Sequence, residues 1–233
     1  MNMIFQNMGP RQVGCEAGDE PVQLGSCLGA ELVGLPLLAP LAEYDTVYAL
    51  PMFTILMNKG TGIVTSVPAD APDDYVCLRD WKTRKNWRDQ YAVKEEWLLP
   101  VVPVIEIPNS ELGSASAVHL CENVITIDSH KSKDKLAEAK EICYKKGFYE
   151  GILLKGEFAG KSVKDAKILV RDRLVELGLA ATYYEPESPV VSRSGDECIV
   201  ALCDQWYITY GEPVWLAQVE EHLANHFEMF SRS

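Results

Sequence analysis

The 233-residue sequence encodes an α/β protein, a small sheet with helices packed outside it. Three features point that way. Short apolar runs bounded by Gly and Pro recur along the chain and have the length of strands. Three longer stretches, over 72–91, 132–146 and 162–177, carry helix start and stop signals. Hydrophobic content of 47% and charged content of 24% are those of an ordinary globular chain.

Residues 1–30 are rich in Gly, Gln and acidic residues and read as irregular, with a short helix near Val22–Leu28. Leu32–Leu41 is punctuated by Gly34, Pro36 and Pro40, which favours a loop or an edge strand. Thr46–Leu56 is apolar and β-branched and reads as a strand interrupted at Pro51. Asn58-Lys59-Gly60 is a turn, and Ile63–Val67 a short buried strand. Over Pro72–Tyr91 a single helix is expected, with Pro in its first turn and Asp70 as N-cap. Its apolar positions are Val76, Leu78, Trp81, Trp87 and Tyr91, and Lys82, Arg84, Lys85 and Arg88 form a basic face.

Leu98–Ile107 is Pro-punctuated and β-like, and Ala117–Ile127 reads as another strand. Ser132 caps a second helix that Gly147 ends, and Ser162–Leu177 is a third, stopped by Gly178. Ile152–Leu154 and Thr182–Tyr184 are short strand candidates. Beyond Pro186 and Pro189 the texture changes, which places a boundary near residue 187. Cys198–Tyr210 then reads as one or two strands and Glu212–Phe230 as a final amphipathic helix.

Charge is unevenly distributed. The net charge is −12, yet residues 81–174 hold 17 of the 22 basic side chains against 14 acidic ones. A polyanion would therefore meet the middle of the chain, in a salt-sensitive way, although mixed-charge helix faces give the same pattern. Neither DNA nor a membrane is an expected partner: no apolar run has the length of a membrane span. The start of the chain lacks the regions of a signal peptide. Seven cysteines without framework spacing point to reduced thiols and a cytoplasmic setting.

The stretch GTGIVTSVPADAPDDY at 60–75 concentrates the chemistry. It reads as a tight turn, a strand, and a helix whose first turn carries carboxylates. Asp70, Asp73 and Asp74 suit capping and the helix dipole, each worth ~0.3–1 kcal/mol there. The same dipole and free N–H groups keep a partly buried carboxylate ionised. A fixed anion beside a strand end suits the ammonium of an amino acid. Cys198 and Cys203 form a C-x4-C pair without a second pair, which is weak evidence for zinc. His119, His130, His222 and His226 show no nucleophile or ligand grouping, although the last two are spaced i,i+4. No metal is expected.

This stretch resembles the core of the editing domain of leucyl-tRNA synthetases, the archaeal and eukaryotic cytosolic type fitting best. LPMFTI at 50–55, VPVIEIP at 102–108, KLAEAKEICYKKGFYEG at 135–151 and SRSGDECIVALCDQWYITYGE at 192–212 follow the same family in the same order. The resemblance implies a partial editing-domain β-barrel or sheet over 31–187 with peripheral helices, then a return segment over 188–233 toward the catalytic core. It implies that Asp74 anchors the α-amino group of a misattached amino acid. Val67 would line the side-chain pocket, with Thr65, Asp70 and Asp73 beside it. Lys82, Arg84, Lys85 and Arg88 would steer the tRNA acceptor end.

The implied reaction is hydrolysis of the ester at the misacylated 3′ end of leucine tRNA, without a cofactor. ATP serves only the full-length parent enzyme. The family's threonine-rich strand has no counterpart, since residues 1–30 contain no threonine. The His-x-Gly-His signature, the Lys-Met-Ser-Lys-Ser loop and the anticodon-binding helices have none either. The expectation is an internal piece of a synthetase that does not activate leucine by itself. The alternative is a non-catalytic module that binds tRNA or other synthetase components.

Overall fold

The computed structural model describes residues 24–55, 60–186, 188–198, 200 and 206–228. Contacts divide the chain into two units, Met1–Ala201 and Leu202–Ser233.

In the first unit, strand β1 (Pro36–Leu38) pairs antiparallel with β2 (Thr46–Tyr48), Leu37 facing Val47. Gly34 permits this hairpin. Its φ of +81° suits glycine, and a Cβ there would fall 2.2 Å from the ring of Trp97. β2 ends before Pro51, whose carbonyl instead accepts the Trp81 indole N–H at 3.0 Å. The expected strand over 63–67 does not form. Ile63 and Val64 are 49% and 59% exposed, and no described strand pairs with them. The Val67 carbonyl accepts the N–H groups of Asp70 (3.0 Å) and Ala71 (2.9 Å), which bends the chain into a turn rather than a ladder.

The single helix expected over 72–91 is two, α1 (Pro72–Thr83) and α2 (Lys85–Tyr91). Arg84 leaves helical geometry at φ −104°, ψ 82°. The Arg88 guanidinium bonds the freed carbonyls of Trp81 (2.8 Å) and Lys82 (2.7 Å), so the break is satisfied from within. The N-cap of α1 is Ala71, not Asp70, and no side chain caps it.

Strand β3 (Ile105–Ile107) is the middle of a three-stranded antiparallel sheet, between β4 (Gly113–Ser114) and β5 (Ile152–Leu153). The strand expected over 117–127 is helical. Helix α3 (Ser116–His119) runs into a π-turn at Leu120–Val124. Ala117, Leu120 and Cys121 are buried at helical spacing, so the true period is near 3.6 and not 2.

Helix α4 (Lys133–Glu150) buries Leu136, Ala139, Cys143 and Gly147 along one stripe. It therefore runs through Gly147, the expected stop, and ends at Gly151. A Cβ at Gly151 would lie 2.2 Å from the Gly147 carbonyl oxygen. Helix α5 (Val163–Glu176) starts as expected: Ser162 accepts the Asp165 N–H at 3.2 Å and donates to its carboxylate at 2.7 Å. Thr182–Tyr184 is not a strand.

In the second unit, helix α6 (Pro213–Asn225) is shorter than expected, and the Glu212 carboxylate caps it by accepting from Val214 and Trp215. Residues 206–210 form no strand. The expected elements within 1–23, 56–59, 201–205 and 229–233 lie outside the described residues.

The core forms where α1, α3, α4 and the larger sheet meet. Val76, Cys121, Ile127, Leu136 and Ala139 pack as one cluster, and Ile107, Leu112, Ala117, Leu120 and Cys143 as the next, with Tyr75 and Ile125 touching both. A third cluster, Trp81, Val93 and Leu98, joins α1 to the chain after α2. The mixture of helix and sheet agrees with the sequence reading, but the described strands make two small antiparallel sheets and do not close into a barrel.

Trp81 is 1% exposed and ties the 51–55 segment to α1. Trp81→Ala should cost about 3–5 kcal/mol in denaturant unfolding. Tyr149→Ala, at a side chain 70% exposed, should stay within about 0.5 kcal/mol.

Candidate active site

Three carboxylates at the start of α1, Asp73 and Asp74 in its first turn and Asp70 just before it, take three different partners. Asp74 reaches back seven residues, and its Oδ2 accepts the Val67 N–H at 2.7 Å. Burial pushes its carboxyl above the usual range. The Val67 N–H opposes this, the Asp73 charge adds to it, and the Ser66 hydroxyl and Lys140 ammonium oppose it. A carboxylate has about four lone-pair sites, so this one retains capacity for a further donor.

Asp73 pairs with Lys140 of α4 at 2.5 Å and is thereby neutralised. Asp70 points inward. Only 9% exposed, it accepts the Ser116 hydroxyl at 3.4 Å, and its buried Oδ2 has no partner among the described residues. Burial raises its carboxyl to about 6, against the opposing Ser116 hydroxyl and backbone N–H. It therefore neither caps α1 nor faces a ligand as the sequence reading expected. Val67 is 36% exposed beside Asp74, and Thr65 lies on the exposed stretch before it. The structure thus brings Val67 and Asp74 together and commits Asp70 and Asp73 elsewhere.

The basic face is partly engaged in the fold. Arg88 braces the α1–α2 break. Arg84 contacts Asp80 at 3.5 Å and lies 4.5 Å over the Trp87 ring. The Lys82 ammonium donates to the Leu99 carbonyl at 3.0 Å, but its side chain remains exposed. Lys85 is exposed and has no ion-pair partner among the described residues.

Sequence reasoning missed Ser116 and Lys140, which stand 46 and 67 positions from their carboxylate partners. It also missed the buried Asp80, whose Oδ2 lies 3.0 Å from His130 Nδ1. These two residues line a cleft with Phe53, Thr54, Asp73 and Cys77, and neither Val67 nor Asp74 is part of its lining. His222 on α6 and His226 just after it have ring centres 5.7 Å apart, the latter 3.1 Å from Glu221. Among the described residues no three His, Cys, Asp or Glu side chains converge to hold a metal ion, and Cys203 lies outside them.

This architecture has solved counterparts. The GlLeuRS-CP1 crystal structure aligns with a TM-score of 0.59 at 45% identity, covering 68% of this chain and 61% of that one. The P. falciparum cytosolic leucyl-tRNA synthetase editing domain aligns with a TM-score of 0.62 at 33% identity, covering 67% and 52%. The fold is thus part of a tRNA-synthetase editing domain. No protein-family model matches the chain.

Curated relatives agree with the structural match. The cytoplasmic leucine–tRNA ligase of Arabidopsis thaliana is 49% identical over 225 residues, 96% of this chain and 20% of that protein. That of Pongo abelii is 49% identical over 200 residues, 85% and 17%. That of Saccharomyces cerevisiae is 40% identical over 196 residues, 84% and 17%. The chain belongs to the cytoplasmic type of leucyl-tRNA synthetases, and it spans about a fifth of the length of the curated relatives it matches.

The raised carboxyl of Asp70 makes stability depend on pH. Its folded value of about 6 exceeds the ordinary 3.8, so the ionised form disfavours the fold. The contribution is fully present below about 3.8 and is lost as pH rises through about 6. Asp70→Asn should remove this dependence. Its stability advantage over the native chain should grow by up to about 3 kcal/mol between pH 4 and pH 7 in urea titrations.

Proposed function

We propose that this chain carries the amino-acid-binding side of an editing site. Asp74 holds the α-ammonium of an amino acid wrongly esterified to the 3′ end of leucine tRNA, and Val67 meets its side chain. Water attacks the ester carbonyl, the bond from carbonyl carbon to ribose oxygen breaks, and the free amino acid and tRNA leave. The observation that carries this reading is the 2.7 Å bond from the Val67 N–H to Asp74. It places a first-turn carboxylate that forms no ion pair among the described residues against the backbone of an apolar residue.

Asp73, already matched by Lys140, does not compete for the ammonium. Anchoring the amine orients the ester for attack, which is a large rate term in itself. Editing answers a limit of binding: one methylene distinguishes substrates by only ~1–3 kcal/mol. The chemistry needs no cofactor. Leucylation and ATP use belong to a whole ligase of the relatives' length, acting in the cytoplasm. Lys82 and Lys85, both exposed, are the side chains of the basic face that remain open to a tRNA backbone.

Asp74→Ala should lower the rate of isoleucyl-tRNA deacylation by about 100-fold, the loss of a partly buried charge contact. Equal background rates for the native chain and the variant would defeat the catalytic reading. They would favour a module that binds without turnover.

Charge reversal at Lys85 should weaken tRNA binding and reduce its salt slope by about one. Lys82→Glu should do less, because the Leu99 carbonyl already holds that ammonium. Filter binding across a salt series reads both effects. A slope unchanged by either reversal would remove these lysines from the interface.

A further inference from the structure

We propose that Asp70 is a positioning residue: its buried carboxyl, held by Ser116, locks the turn over 67–71 and so sets the gap between Val67 and Asp74. The inference rests on the reading of Asp74 as the amine anchor, and it concerns what holds that anchor in place.

A chain of bonds carries it. The Val67 N–H is held by Asp74 at 2.7 Å, while the Val67 carbonyl accepts from Asp70 at 3.0 Å and from Ala71 at 2.9 Å. One residue of that turn, Asp70, turns its side chain into the core to meet Ser116 at 3.4 Å. The Ala117 N–H adds a bond to the Ala69 carbonyl at 2.9 Å. The start of α3 is thus docked on residues 69–70 through both backbone and side chain.

The Ser116 hydroxyl also lies 3.5 Å from Cys143 Sγ on α4, the helix whose Lys140 holds Asp73. Asp70, through Ser116, and Asp73, through Lys140, are therefore both referenced to α4. A rigid reference of this kind is what a site needs to keep two groups at fixed separation.

Two observations show that stability alone does not explain the arrangement. Asp70 has a buried oxygen without a partner among the described residues, and burial makes its ionised form unfavourable to the fold. Ser116 follows Ala115, a residue with a side chain held in the left-handed region at φ 64°, ψ 53°. Non-glycine residues occupy that region only at an energetic cost. This strained residue begins α3 at the point where Ser116 and Ala117 meet the turn.

The test is hydrogen exchange at the Val67 amide in the full chain, compared with the core amides of α4. Asp70→Ala and Ser116→Ala should speed Val67 exchange at least tenfold and leave α4 protection unchanged. Asp70→Asn, whose amide oxygen accepts the same hydroxyl, should restore native protection at Val67. Ala115→Gly, which relieves the backbone without removing Ser116, should also leave it native.

Native exchange at Val67 in both alanine variants would overturn the proposal. So would a loss of protection that spreads equally through α4 in Ser116→Ala, since that marks a general structural role. Deacylation is measured in parallel. If the exchange pattern holds while even the native chain is inactive, the editing reading fails and the positioning of Asp74 by Asp70 stands. Should deacylation fall tenfold in Asp70→Ala and recover in Asp70→Asn, both stand.

Discussion

Asp70, Asp73 and Asp74 lie within five residues, and three carboxylates so close repel one another in any compact arrangement. The fold resolves this by sending each to a different partner. Asp73 takes the cation of Lys140, Asp70 enters the core against Ser116, and Asp74 folds back onto the Val67 amide. Those three directions fix the start of α1 against α4, α3 and the preceding turn. A first turn without a side-chain cap is thereby held by tertiary contacts instead. The consequence for function is a division of labour. One carboxylate is neutralised, one is buried, and one is left able to receive a positive group.

Packing behind this turn explains why it can be held firmly. Two buried clusters meet at Tyr75 and Ile125, directly beneath the first turn of α1 and against α4. Tyr75 also donates to Glu122 at 3.0 Å, and Arg79 bridges Glu122 at 2.7 Å and the Ile127 carbonyl at 2.6 Å. These contacts pin the π-turn after α3, and the chain leaving it, to α1. At the far end of α1 the break at Arg84 is stabilised by Arg88, a residue that reads in sequence as part of an open basic face. The relation to leucyl-tRNA synthetases rests on homology along the chain and on the solved editing domains. The local geometry adds that Asp74 folds back onto the Val67 amide.

Much of the helical framework was legible because its signals are local. Pro72 at a first turn, the start of α5 at Ser162 and the left-handed Gly178 are short-range features that hold in the structure, whereas Ser132, the expected cap of α4, makes no side-chain cap bond among the described residues. Ala117–Ile127 carries apolar residues that satisfy either period over a short span, and only the burial of Ala117, Leu120 and Cys121 on one side decides for a helix. Ile63–Val67 has the composition of a strand but no described strand beside it. Strands need neighbours, and composition does not supply them. Gly147 resembles a helix stop, yet it is buried in the stripe of α4 and the helix continues.

The order of residues alone determined which side chains are available: a cluster of acids at a helix start, Val67 seven positions before Asp74, a basic middle, and long runs shared with one enzyme family. These are matters of composition and near-neighbour spacing, which the covalent chain sets directly. Which acid stays open, which is neutralised and which is buried was decided only by folding. Ser116 and Lys140 are 46 and 67 positions from the carboxylates they meet. A carboxylate's charge state and direction depend on the groups within a few ångströms, and those arrive only when distant segments pack.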